Sequence, residues 1–261
     1  CRETLDGRRR AIDENRPNDV SIYISIPFCP SRCHYCSFVS SATEKERKLL
    51  PEYVSLLCEE MAEVREKILS DGKNPTTIYV GGGTPSVLDE NLTETLLSAI
   101  EKEFLKPFDI KEFTFEAGRP DTVTEEKLKS LAAHGVGRIS INPQTLNNAV
   151  LEKIGRRHTA EDFFAAYSLA EKYPFIINTD LIAGLPGDTS ESFRDTVDKI
   201  FLLSPGNVTV HTLYLKRSAD FGAEENVSGV TKAAEKTDVS SMLSYVDKKR
   251  REEEYFPYYL Y

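Results

Sequence analysis

The 261-residue sequence predicts an α/β fold, an open (β/α)6 partial TIM-type barrel with a C-terminal helical extension. Three observations predict it. Six short runs rich in Ile, Val, Phe, Tyr and Thr recur along the chain, the composition of buried parallel strands. Longer stretches of helical periodicity separate them. After Tyr214 the alternation stops and the sequence turns polar.

The elements follow in order. The first strand is expected at Ser21 to Ile26, and the helical stretch Glu44 to Ser70 after it is stopped by the Asp71-Gly72 pair. A second strand, Thr77 to Val80, runs into Gly81-Gly82-Gly83-Thr84-Pro85 and is followed by a helix over Asn91 to Phe104. The third strand, Glu112 to Glu116, precedes a helix over Thr124 to His134. There Thr124 supplies an N-cap, but Lys127 three residues on leaves the capping box half made. The fourth strand, Arg138 to Ile141, leads to a helix over Thr159 to Lys172, and the fifth, Phe175 to Ile182, to one over Ser190 to Leu203. Val208 to Tyr214 is the sixth strand. Lys216 to Thr231 is turn-rich, and Thr237 to Glu254 reads as a charged amphipathic helix. The expected organisation is therefore a lead-in over 1–20, a core over 21–214 and an extension over 215–261. The aromatic-rich end, EYFPYYLY, is expected to pack against a further, substrate-recognising domain outside this sequence.

A net charge of -9 argues against a nucleic-acid surface, and the basic stretches Arg8 to Arg10 and Lys248 to Arg251 are short enough to be solvated surface. No apolar run approaches the ~18 residues of a membrane span. The first residues show neither an apolar core nor a small-residue cleavage site, so a cytoplasmic location is expected.

Five cysteines are present, and three of them, Cys29, Cys33 and Cys36, fall in the segment FCPSRCHYC just after the first strand. That crowding suits metal ligation better than disulfides. The C-x3-C-x2-C spacing places the thiols at the C-terminal mouth of the barrel, where such folds keep their chemistry. Three thiolates on a four-iron cluster leave one iron open to a small chelating molecule. The alternative is a structural zinc site completed by His34 or a distant residue. Cys1 and Cys58 stand alone, and Cys58, within YVSLLCEEMAEV, reads as a buried small hydrophobe.

Other candidates lie after later strands. The Gly82, Gly83 and Thr84 turn allows close backbone approach, so its carbonyls could accept from an ammonium group; a plain strand-ending turn is the alternative. Glu116 ends an apolar strand where a carboxylate suits ribose hydroxyls, or pairs with Arg119. Gln144 and Arg156 follow the fourth strand; an arginine there can fork onto a carboxylate, and Arg157 could do so instead. Asp180 is a charge in a buried-looking strand and needs a partner or ligand. Tyr23 on the first strand is either an ordinary core tyrosine or a site residue. The histidines have no metal-site spacing among themselves; His34 could flank the cysteine loop and His211 could face the cavity.

IPFCPSRCHYCSF, YVGGGTPS, FEAGRPD, INPQTLNNAVLEKIGRRHT and TDLIAGLPGDT, in this order, resemble the radical S-adenosylmethionine (SAM) superfamily. Within it they are similar to the oxygen-independent coproporphyrinogen III oxidase group, and most to its HemZ branch. The resemblance implies a [4Fe-4S] cluster on Cys29, Cys33 and Cys36. It implies SAM held by Gly82, Gly83 and Thr84 through the amino group, by Arg156 through the carboxylate, and by Tyr23, Glu116, Gln144 and Asp180, with the turn after Asp180 near the adenine. Reductive cleavage of SAM to methionine and a 5′-deoxyadenosyl radical would follow, with hydrogen abstraction from the β-carbon of a porphyrinogen propionate and loss of carbon dioxide and one electron to leave a vinyl group. An electron donor such as flavodoxin or ferredoxin is implied as a partner, with porphyrinogen or haem as substrate. Phe38 stands where the best-known oxidases of the group have a fourth cysteine. A haem-binding chaperone therefore remains beside the oxidase as an alternative.

Overall fold

The computed structural model describes residues 16–37, 41–214 and 238–257. Phe38, Cys1, most of the lead-in and the turn-rich 215–237 lie outside the described residues.

Six parallel strands form one sheet in the order β1 to β6: β1 (Asp19–Ile26), β2 (Asn74–Gly82), β3 (Glu112–Phe115), β4 (Arg138–Ser140), β5 (Ile176–Ala183) and β6 (Asn207–Thr212). Every neighbouring pair is parallel and follows chain order, and among the described residues β6 does not pair back to β1. The barrel is open, as the alternating pattern predicts. The connecting helices are α1 (Glu44–Arg47), α2 (Leu50–Ser70), α3 (Glu90–Ile100), α4 (Glu125–Ala133), α5 (Asn148–Lys153), α6 (Ala160–Ala170) and α7 (Ser190–Leu202), and α8 (Val239–Glu252) lies in the extension.

Three local differences from the sequence expectation have physical causes. The long helix expected from Glu44 is two helices, because Pro51 sits in the first turn of α2 and has no N–H to continue the α1 ladder. The helix after β2 ends early and passes into a five-residue π turn, Glu101–Leu105. The six-residue α5 was not expected; Asn147 starts it by accepting from the N–H groups of Ala149 and Val150.

The stop at Asp71-Gly72 is a Schellman ending. Gly72 has φ 62°, its N–H donates to Leu69 O, and Lys73 N–H reaches back to Ile68 O. Nothing lies within 4 Å of a Cβ added at Gly72, so Gly72→Ala meets backbone strain alone. A loss of about 1–2 kcal/mol in urea-unfolding stability is expected. An unchanged midpoint would show that the left-handed ending is not needed.

The core lies between the outer face of the sheet and the helices. Ile24, Ile78, Val80, Phe113, Phe115 and Ile139 are buried there against Leu96, Leu97, Phe163 and Phe193. Strand side chains alternate between faces, so the residues between these point into the concave side. That inner set is polar: Thr77 and Tyr79, Thr114, Ser140, Asn178 and Asp180, Thr209 and His211. A barrel filled by its own apolar side chains would leave no room inside, whereas this one opens into a polar bowl. Cys58 on α2 is half-buried rather than buried, packed against the main core.

The helix α8 lies against α7. Met242 is fully buried, Tyr245 Oη donates to Asp198 Oδ1 at 2.7 Å, and Arg194 Nη2 donates to Ser241 Oγ at 2.7 Å. Tyr255 packs edge-on to Phe201 and donates to Pro205 O, whereas Phe256 is exposed and 258–261 lie outside the described residues. No helix among the described residues is long and apolar enough to cross a membrane.

Candidate active site

The cysteine loop leaves β1 at the C-terminal mouth and is tied down on both sides. Cys29 N–H donates to Ser41 O at 2.9 Å, Ser41 N–H to Pro27 O at 2.7 Å, and His34 N–H to Ile154 O at 3.0 Å. Opposite it, the turn after β2 presses close: Gly83 N–H donates to Ile26 O and Thr84 N–H to Phe28 O, both at 2.8 Å. With these amides engaged, the turn can offer a ligand its carbonyl oxygens. Thr84 Oγ1 also donates to Cys29 Sγ at 3.5 Å.

This approach requires glycine. A Cβ on Gly83 would lie 2.6 Å from Phe28 O and 3.0 Å from Cys29 Sγ. Because the first obstacle is backbone, Gly83→Ala is expected to cost about 1–3 kcal/mol and to reduce iron uptake by displacing Cys29. Urea unfolding and iron content measure the two effects; wild-type values for both would contradict the packing described.

Cys29, Cys33 and Cys36 border a cavity of about 680 Å³ whose floor is the polar concave face. Gly82, Gly83, Thr84, Glu116, Gln144, Arg156 and Asp180 also line it. Tyr23 does not: it is 61% exposed on β1 and stacks on Tyr79, ring centroids 5.8 Å apart, so it reaches the cavity only through that ring. His34 turns the other way. Its Nδ1 lies 3.1 Å from Lys153 O and its ring packs at Gly155. Among the described residues no group of three or more His, Cys, Asp or Glu converges on a point where a single metal ion would sit. Cys29, Cys33 and Cys36 all open onto the same cavity.

Two half-buried carboxylates face that space. Glu116 accepts from Tyr79 Oη, and burial raises its pKa, with the Tyr79 hydrogen bond opposing the shift and the charge of Asp180 adding to it. Asp180 is raised chiefly by burial, opposed by His211, Thr209 and Arg156. Asn142 locks it in place, donating through Nδ2 to Asp180 Oδ2 at 2.9 Å and accepting Asp180 N–H at 3.1 Å. A carboxyl whose pKa is higher folded than unfolded stabilises the fold at low pH and loses that contribution as pH rises through the raised value. The urea midpoint of wild type relative to Glu116→Gln should therefore fall as the pH rises from the ordinary carboxylate range through the raised value. A difference independent of pH would contradict the raised value.

Arg156 is buried, and its Nη1 donates to Asn142 O at 2.7 Å while Nε has no partner. Tyr35, half-buried with its hydroxyl between Arg156 and Cys33, has its pKa pushed up chiefly by desolvation. Burial, with Arg156 and Arg119 nearby, brings His158 down to about 4, so its ring is neutral. Gln144 holds a left-handed backbone at φ 68°, pinned to β5 by its N–H to Asp180 O and by Ile182 N–H to its own carbonyl. Its Oε1 is buried without a partner. An unsatisfied guanidinium N–H and an unsatisfied amide oxygen, both on the cavity wall, are the features of a site completed by a ligand. The alternative pairing of Glu116 with Arg119 does not form, because Arg119 pairs with Asp121 at 3.1 Å. Arg157 is exposed.

A model of the radical SAM superfamily matches residues 23–200. The chain belongs to the radical SAM superfamily. Members of this superfamily use a [4Fe-4S] cluster and SAM, and the thiols, the glycine cradle and the two unsatisfied polar atoms fit such a pair of groups. The oxygen-independent coproporphyrinogen-III oxidase-like protein HemZ of Bacillus subtilis is 39% identical over 245 residues, 94% of this chain and 48% of that protein. The heme chaperone HemW of the same organism is 35% identical over 202 residues, 77% of this chain and 52% of its own length. The radical SAM enzyme HemN, coproporphyrinogen III oxidase of Escherichia coli, shares the fold with a TM-score of 0.76 at 23% identity, over 94% of this chain and 55% of that one. The chain spans about half the length of the curated relatives it matches.

Sequence reasoning passed over Tyr79, Asn142 and Tyr35. The signal for the first two was present: each lies two residues from another inner-face polar residue, Thr77 and Ser140.

Proposed function

We propose that this radical SAM protein holds its cluster on Cys29, Cys33 and Cys36, binds SAM beside it, and carries out oxygen-independent oxidative decarboxylation of coproporphyrinogen III. The observation that supports this most is the meeting of three thiols, the Gly82 to Thr84 turn, two half-buried carboxylates and a buried arginine in one cavity. At about 680 Å³ it is of the size that small-molecule sites occupy.

When bound, cluster and SAM together supply one-electron cleavage of the sulfonium and a hydrogen-abstracting radical. The chain's part is placement. Carbonyls of the Gly82 to Thr84 turn accept from the amino group, and the Arg156 fork takes the carboxylate. Glu116 and Asp180 receive ribose hydroxyls, and the raised pKa of each follows from the water-poor wall they share. Gln144 offers its buried amide oxygen as an acceptor, and Tyr23 closes the rim through Tyr79. Holding these groups fixed positions the reacting bond and excludes water. The core carrying this chemistry is 21–214, with 215–261 leading toward a substrate-recognising part. A cytoplasmic flavodoxin or ferredoxin is the proposed electron donor.

A second reading, haem-binding chaperone, is favoured by the HemW relative and by Phe38 two positions beyond the triad. Anaerobic reconstitution with iron and sulfide, followed by a reductant, SAM, coproporphyrinogen III and a one-electron acceptor for the decarboxylation step, separates the two. The oxidase yields 5′-deoxyadenosine and protoporphyrinogen IX together. SAM cleavage without protoporphyrinogen overturns the oxidase and keeps the radical chemistry. Stoichiometric haem binding without porphyrinogen turnover selects the chaperone. A protein that carries zinc, no iron, and the same metal content after Cys29→Ala overturns both.

A further inference from the structure

One buried charge at the cavity mouth is not among the residues given to SAM above. Arg119 follows Gly118, whose left-handed φ of 43° turns the chain after β3 back across the mouth, and its side chain is 3% exposed. Its guanidinium makes three kinds of contact. Nε and Nη2 fork onto Asp121, at 3.1 and 3.4 Å. Nη1 and Nη2 both donate to Ser31 Oγ at 3.2 Å, within the interval between Cys29 and Cys33. Nη1 also lies 3.7 Å from Cys33 Sγ. Ser31 Oγ in turn donates to Gly155 O at 3.4 Å, next to Arg156.

We infer that Arg119 is a positioning residue that clamps Cys33 and, through its N–H and charge at the sulfur, sets how readily the cluster accepts an electron; this rests on Cys33 being a cluster ligand. Hydrogen bonds to cluster sulfurs and the local charge are main determinants of Fe–S potentials. A donor at Cys33 Sγ stabilises the more negative, reduced state and so raises the potential. Asp121, which is 26% exposed, offsets part of that charge. A cation taken so far out of water needs this counter-ion, since an isolated buried charge is strongly unfavourable.

The pair makes the inference testable by sign. Arg119→Gln removes the charge and keeps an amide donor on a shorter side chain that no longer reaches Cys33, and should lower the potential. Asp121→Asn leaves the guanidinium uncompensated and should raise it. The experiment is an EPR-monitored redox titration of the reconstituted protein, with iron content and SAM affinity measured alongside. The expected result is a change of about tenfold in the one-electron equilibrium, about 59 mV, in opposite directions for the two variants, with iron content unchanged. A clamp of purely structural effect would lower iron content in both and leave the potential of the remaining cluster where it was. That outcome, or shifts of the same sign, overturns the inference. If Arg119→Gln does not fold, an Asp121→Asn potential at or below wild type overturns it. A wild-type protein that takes up no cluster overturns the proposed function as well; a wild-type cluster with both variants at its potential overturns this inference alone.

Discussion

Replacing any one of Cys29, Cys33 or Cys36 by alanine is expected to abolish iron uptake and SAM cleavage while leaving the fold intact. The three thiols are half-buried on a loop of which, among the described residues, Phe28 is the one that joins the main core. Losing one removes little packing, and the change in unfolding free energy should stay within about 1 kcal/mol. The loop's anchors are backbone bonds, Cys29 N–H to Ser41 O and His34 N–H to Ile154 O, which alanine keeps. Function has no such reserve, because a ligand lost from a three-thiol set leaves a second iron without protein support. Cys58→Ala is the control. Cys58 packs on α2 away from the cavity, and its thiol pKa is raised chiefly by burial, the mark of an inert cysteine. Iron and sulfide content with a thermal melt decide the matter. A cysteine variant of the triad that keeps its iron, or a Cys58 variant that loses it, would contradict the assignment.

The second large effect belongs to Arg156. Arg156→Lys preserves the charge but not the fork, and lysine cannot satisfy Asn142 O and a bound carboxylate in one plane. SAM binding to the reconstituted protein is expected to weaken by about 2 kcal/mol, roughly 30-fold. Arg157→Ala should bind SAM as wild type does, because Arg157 is exposed and does not line the cavity. Equilibrium dialysis with labelled SAM measures both. The reverse pattern would transfer the role to Arg157.

Much of the fold was legible because parallel βα units leave two strong marks, compact β-branched runs and longer amphipathic stretches. The strand positions at Thr77 and Val208 and the cap at Thr124 followed from local chemistry. What was missed depended on context. The break before α2 needed Pro51 to be read as a helix start rather than tolerated inside one, and α5 is too short for periodicity to reveal. The polar concave face follows from alternation that composition alone does not reveal: β5, Ile-Ile-Asn-Thr-Asp-Leu-Ile-Ala, puts Asn178 and Asp180 on one side and Ile177 and Leu181 on the other. Read with period two, that strand announces a polar bowl. Motif order pointed to the candidate residues, but not to their partners. That Asp180 is locked by Asn142, and that Arg119 serves Asp121 and the cysteine loop instead of Glu116, depends on where β3, β4 and β5 end relative to one another in space.

On the proposed function, Cys29, Cys33 and Cys36 hold a four-iron cluster whose remaining iron is open to SAM. EPR of the reduced, anaerobically reconstituted protein, recorded with and without SAM, reads that arrangement. A reduced [4Fe-4S] signal that shifts on adding SAM and is absent from Cys33→Ala is the predicted result. A cluster signal indifferent to SAM, or one that survives in Cys33→Ala, would contradict it.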